Sequence, residues 1–296
     1  MIYLVIFIFI ALVLGAKWYH SLWLTSFGSS KSKRQDKSSA VKNLFNRKSL
    51  FRPQTEVLLK KDLLTFIREP SQVIHLAILI LLILLFISSV SSVTLLGSYS
   101  YYIQSIVYMT VFLFNALLIA TLSLRFVYPL ISLEGIAFWK IGSSPVNLHK
   151  YIFSRLIPYM LIIFFVAQIL SYFSNYQFSF QLKLFSALIT TMIVPGLVML
   201  NFCLGAHFAD YHEKNPIRVA SSQGASITFL GSLILLVALV AGLFRPLFMY
   251  FENYIRFGLH NLDALLNVSF VIGLISLLIC IISYRITLQS LKRDFK

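Results

Sequence analysis

Acidic side chains are the scarcest feature of this chain. It has ten Asp and Glu in 296 residues, against 25 Lys and Arg. Charged residues together make up 12%, about half the share of an ordinary soluble domain, which excludes that class. Cysteine is nearly missing too. Cys203 and Cys280 both fall inside apolar runs, so a disulfide framework is excluded. No Gly-x-x-x-x-Gly-Lys-Ser/Thr loop, Gly-x-Ser-x-Gly elbow or His-Glu-x-x-His helix occurs. The expectation is therefore of a chain that is not an enzyme, with no cofactor of its own. The one dense titratable group, His207, Asp210, His212 and Glu213, reads as a polar helix end, and no metal is expected. Carboxylates are missing from the apolar runs, which argues against a proton relay.

Long hydrophobic runs are what the chain has in abundance. Hydrophobic residues make up 58% of it. About 20 apolar residues cross a hydrocarbon core of roughly 30 Å. Seven runs qualify: Ile2–Leu24, Val73–Leu96, Tyr99–Leu124, Leu156–Phe173, Leu184–Phe208, Gln223–Phe244 and Ala264–Tyr284. Apart from Lys17 they hold no Lys, Arg, Asp or Glu. Each such charge at mid-bilayer would cost about 2.5–3.5 kcal/mol. The expected fold is all-α: a polytopic membrane protein of about seven transmembrane helices.

The positive charge orients those spans. If they cross in succession, all of the 25 Lys and Arg except Lys183, Arg245 and Arg256 fall on one side. Basic loops stay cytoplasmic, so the N-terminus is expected outside and the C-terminus in the cytoplasm of a cell membrane. That bias, with attraction to anionic membrane lipid, accounts for the net charge of +15, and no nucleic-acid partner is expected. The first run lacks a basic leader, so it reads as a retained span rather than a signal peptide.

Three regions follow. Residues 1–24 are an N-terminal helix, 25–55 a basic linker, and 56–296 a six-helix membrane domain. From Glu56 to Glu69 the spacing predicts a helix lying on the membrane surface. Leu59, Leu63, Phe66 and Ile67 share one face, Lys61 and Arg68 lie opposite, and Pro70 closes it. Arg125–Arg155 is too apolar for a solvated loop. Ser144-Pro145 and Asn215-Pro216 read as helix starts, a cap followed by proline, leading into the fourth and sixth spans. Pro195-Gly196 predicts a kink in the fifth span. Arg245–Asp263 reads as an aromatic loop in the outer interface.

Three segments together resemble one family. Lys60-Lys61-Asp62-Leu63-Leu64-Thr65-Phe66-Ile67-Arg68-Glu69-Pro70 resembles the surface helix ahead of the first span in type-2 ABC exporter permeases. Ser132-Leu133-Glu134-Gly135-Ile136-Ala137-Phe138-Trp139, then Ser143-Ser144-Pro145, resembles the cytoplasmic loop of one subgroup of these permeases. Leu204-Gly205-Ala206, then Asn215-Pro216-Ile217-Arg218-Val219-Ala220-Ser221-Ser222-Gln223-Gly224, resembles that subgroup's third signature. Members of the subgroup are about twice this length, and the chain resembles their C-terminal half.

The resemblance implies the transmembrane permease subunit of an ATP-driven exporter. ATP and Mg would be bound by a partner, an ABC ATPase subunit. A second permease half or a homodimer would complete the pathway. Glu134, Gly135, Phe138, Trp139, Ser143 and Pro145 would form the ATPase-docking loop. Lys61, Asp62, Phe66, Arg68 and Pro70 would mark the interfacial helix, and Asn215, Pro216, Ser221 and Ser222 the third loop. Lys61, Arg68 and Glu134 would supply charge pairs to the partner. The alternative is a non-transporting membrane scaffold or a remnant half-permease.

Overall fold

A computed structural model describes residues 53–68, 70–91, 100–138, 147–213, 215–258 and 262–293. The expected N-terminal span at 2–24 and nearly all of the linker at 25–55 lie outside the described residues. Helices account for nearly all of what is described, and no strand occurs among those residues. Six of the described helices are long and apolar enough to cross a membrane, compatible with a multi-pass membrane protein.

The surface helix α1 runs Pro53–Arg68, and α2 runs Pro70–Ser91, starting on the proline that the sequence places there. α2 holds no Lys, Arg, Asp or Glu and is apolar all round. Its contacts are spread over several neighbours, and among its described side chains only Leu79 is buried, while Ile74, Leu84 and Leu85 face outward. Such an outer face suits lipid. α3 (Tyr101–Phe126) buries Tyr108, Phe112, Asn115 and Ile119. Two short 3-10 turns, Tyr128–Leu130 and Ser132–Phe138, follow it.

α4 (Leu148–Ser174) is capped by Asn147, whose side chain accepts the His149 N–H at 3.0 Å. The start expected at Ser144-Pro145 lies outside the described residues. α5 (Phe180–His207) is the central helix, with Ile189, Val194, Leu197, Val198 and Phe202 fully buried. It continues through Pro195 as one helix. The short α6 (Pro216–Ala220) begins where the sequence predicts, with the Asn215 side-chain oxygen Oδ1 accepting the Ile217 N–H at 3.0 Å, but it ends at Ala220 instead of running on into the next long helix, which starts anew at Gln223.

α7 (Gln223–Phe257) is longer than its apolar run. The outer loop expected from Arg245 is helical as far as Phe257. Leu243, Leu247, Tyr250 and Phe251 explain the difference, since they continue one buried helical stripe past the hydrophobic segment. Gly258, at φ 66°, supplies the left-handed cap that ends it.

α8 (Asp263–Arg293) packs more extensively on α5 than any other pair of described helices. Its seam is a run of buried serines seven residues apart: Ser269, Ser276, Ser283 and Ser290. Gly196 meets this seam on α5. A Cβ built there would stand 2.5 Å from the Ser276 hydroxyl oxygen. Small residues let helix backbones approach where no hydrophobic drive separates helix from lipid. The expected kink site therefore contributes close packing.

Between α3, α4 and α5, polar groups of the spans bond to one another. The Asn115 amide donates to Ser174 Oγ at 2.6 Å, and Gln168 donates to Thr191 Oγ1 at 2.8 Å. Asn175 donates to Ser186 Oγ at 2.9 Å. Such bonds fix helix register inside a membrane body.

Candidate functional site

One end of the helical body gathers the three sequence motifs around a buried guanidinium. Arg155 sits in the second turn of α4 and is 1% exposed. Its Nη1 donates to Asp62 Oδ2 of α1 at 2.6 Å. Its Nη2 donates to the Leu130 carbonyl at 3.2 Å and lies 2.9 Å from Glu134 Oε1. Tyr159, one turn further along α4, donates its hydroxyl to the same Asp62 oxygen at 2.8 Å. Lys61 closes the network on the outside with Nζ 2.6 Å from Glu134 Oε2. Two cations thus meet two carboxylates, and the group is neutral as a whole. The planar, permanently charged guanidinium of arginine suits this arrangement, donating to a carboxylate and a carbonyl while a second carboxylate lies beside it.

The backbone places Glu134 for this contact. Gly135 adopts φ 63° and ψ −161°, a conformation essentially reserved for glycine. It breaks the 3-10 turn and separates Glu134, which faces Arg155, from Phe138, which faces elsewhere. Phe138 is buried, with its ring stacked on Tyr211 at 5.1 Å and tilted against Tyr151 at 6.3 Å.

The third motif joins through Tyr128. A Cβ on Gly205 would collide with the Tyr128 carbonyl oxygen, and one on Gly224 would stand 2.5 Å from its hydroxyl. The two glycines of that motif therefore make the slot that Tyr128 fills. Its hydroxyl also lies 3.4 Å from Ser222 Oγ, which accepts the Ala225 N–H and caps α7. Ser132 Oγ accepts the Asp210 N–H at 3.1 Å, tying the two loops once more. Ser221 turns back on α6 and donates to the Ile217 carbonyl at 2.7 Å.

A cleft of about 420 Å³ opens beside the network, between α1 and the ends of α3 and α4. Phe66 and Phe126 meet across it, ring centroids 6.0 Å apart. Lys61, Asp62, Gly135, Arg125 and Glu213 also line it.

Several expectations change here. Lys61 and Glu134, expected to offer charge to a partner, are paired with each other, and Glu134 also with Arg155. The reason is proximity: α1 lies directly against the 132–138 turn. Leu59, Leu63 and Phe66 line the cleft together, as the spacing predicts, but an acidic side chain of α1 is drawn inward beside them. Asp62 points inward at 14% side-chain exposure, whereas Leu63 is 49% exposed. A helical moment cannot distinguish an inward carboxylate with a partner from an outward one without. Trp139, Ser143 and Pro145 lie outside the described residues. So do the side chains of Arg68 and Pro70.

Arg155 and Tyr159 were not among the expected site residues. The available signal was the spacing Tyr151, Arg155, Tyr159, which sets an arginine between two aromatics on one helical stripe at the mouth of an apolar run.

No curated protein and no solved structure matches this chain. A family model described as "Putative ATP-binding cassette" matches residues 1–295. That description overturns the expected function, a permease subunit leaving ATP to another polypeptide, because nucleotide binding is attached to this chain's own family. The expectations of no enzymatic activity, and of ATP and Mg bound only by a partner, are corrected with it. The first rests on the resemblance of three segments, and the others lean also on a missing phosphate-loop sequence, which excludes one way of cradling phosphate and no other. The described residues themselves do not fit a triphosphate. No strand leads into a Gly-rich turn among them, and Lys61 in the cleft is already neutralised by Glu134. Matched along nearly its whole length, the chain belongs to this ATP-binding cassette family.

Proposed function

We propose that the chain is an ATP-responsive membrane protein in which α1 and the 128–138 turn move as one relay on the end of a helical body. The observation supporting this is Arg155. It fastens α1 through Asp62 and the turn through both Glu134 and the Leu130 carbonyl, so neither element shifts without the other. Tyr128 extends the linkage to α5 and α7.

The end bearing the relay faces the cytoplasm in this reading, because the basic residues of the sequence concentrate there. The body sits in the cell membrane, and its assembly includes other ATP-binding cassette components or a second copy. The ATP response is drawn from the family; no residue described here is assigned to the triphosphate.

Amide hydrogen exchange in native membranes tests the reading. Mg-ATP is expected to change protection of α1 and of residues 128–138 together, while α5 stays unchanged. Separate responses of the two segments, or none, would overturn it.

A further inference from the structure

We propose that the cleft beneath α1 is a binding site for one anionic phospholipid, with the headgroup phosphate on Arg125 and an acyl chain along the apolar wall. The proposal rests on the membrane embedding argued above, but not on any response to ATP.

Charge accounting leads to Arg125. Of the charged side chains lining the cleft, Lys61 pairs with Glu134, Asp62 with Arg155, and Glu213 with Arg218 at 3.6 Å. Arg125, in the last turn of α3, has no carboxylate partner among the described residues. It is half-buried, and it also lines a narrow pocket adjoining the cleft with Gln72, His75 and Pro216. The cleft therefore keeps one uncompensated cation with the Gln72 amide lining the same space. That suits a single phosphodiester far better than a polyphosphate.

Apart from Gln72 and Tyr159 the rest of the lining is apolar, with Leu59, Phe66, Phe126, Leu130, Leu133 and Ile162 forming most of the wall. A free inorganic anion has no use for such a wall, whereas an acyl chain does. Ile162 and Leu63, both lining residues, are 57% and 49% exposed. Ile162 lies two turns deeper along α4 than Arg155, so the wall runs from the charged end toward the middle of the spanning helix. A cation at the mouth and an apolar wall running inward match the order of parts in a phospholipid.

The test uses the full chain. Alkaline carbonate extraction comes first, and a chain released from membranes would sink the membrane reading itself. The retained chain is then purified in detergent with equal phosphatidylglycerol and phosphatidylcholine, and bound lipid is counted by native mass spectrometry. Wild type is expected to keep phosphatidylglycerol selectively. Arg125→Gln should lose about fivefold in retention, the worth of one interfacial cation. Arg125→Lys should keep most of it. Lys150→Gln, which removes an exposed cation at the start of α4, should change nothing. Equal losses in Lys150→Gln and Arg125→Gln would show diffuse attraction and overturn the site. So would an unchanged Arg125→Gln, or displacement of the lipid by millimolar inorganic phosphate or ATP.

Discussion

Arg155 stays charged in the interior of the helical body because Asp62 and the Leu130 carbonyl accept its N–H groups and the Glu134 carboxylate lies 2.9 Å away. A buried ion pair adds little net stability over apolar residues of the same size, since desolvation offsets the attraction. Removing one partner is different, because the remaining charges are stranded. Arg155→Met should therefore destabilise the protein by about 3–5 kcal/mol, read as a lower melting temperature in detergent. Neutralising the stranded acids as well, with Asp62→Asn and Glu134→Gln, should restore much of that loss. The sequence showed Lys61, Asp62 and Glu134 as charges worth noticing but not their partners. Each partner lies far along the chain, and only the folded body brings α1, the 132–138 turn and α4 together. Gly205 and Gly224 are a similar case. They are visible in the third motif, yet their reason is Tyr128, about 80 to 95 positions earlier.

Among the elements, six apolar helices and their approximate ends were legible, because a run of about 20 apolar residues has few other uses. The ends that moved are those where helix continues outside the apolar run. α7 reaches Phe257 on a buried stripe of Leu247, Tyr250 and Phe251, which hydropathy alone does not register. Capping chemistry served better, since Asn215-Pro216 marked the start of α6. The serine seam of α8 was open to view as a seven-residue repeat, but its meaning depends on what it faces. It faces α5, where Gly196 meets Ser276. Ser276→Leu should force the two helices apart and cost roughly 1–3 kcal/mol, as overpacking does. Thermal unfolding in detergent would show it. Ser226→Leu, at an exposed site on α7, serves as the matched control and should leave the melting temperature unchanged.

On the scale of the whole molecule, a helical body carries its polar connections in two zones. Neutral amides and hydroxyls bond α3, α4 and α5 along the apolar helices, and the ion pairs of Arg155 and Lys61 gather at one end. The apolar helices hold their register through short bonds between neighbours, whereas at the charged end Arg155 is a hub joining α1, α4 and the turn, reinforced by the Lys61–Glu134 pair. A hub of that kind turns a local displacement into a shared one, which is the physical content of the relay. The link to an ATP-binding cassette family was legible in the three motifs, whereas the missing phosphate loop pointed away from nucleotide.

The most direct test of the relay is a distance. Spin labels at Lys60→Cys on α1 and Arg285→Cys on α8, with Cys203 and Cys280 changed to Ser, report the position of α1 against the body. In native membranes, Mg-ATP is expected to shift the distance distribution in this background and to leave it unshifted when Arg155→Met is added. A distribution indifferent to Mg-ATP, or a shift of the same size without Arg155, would contradict the account.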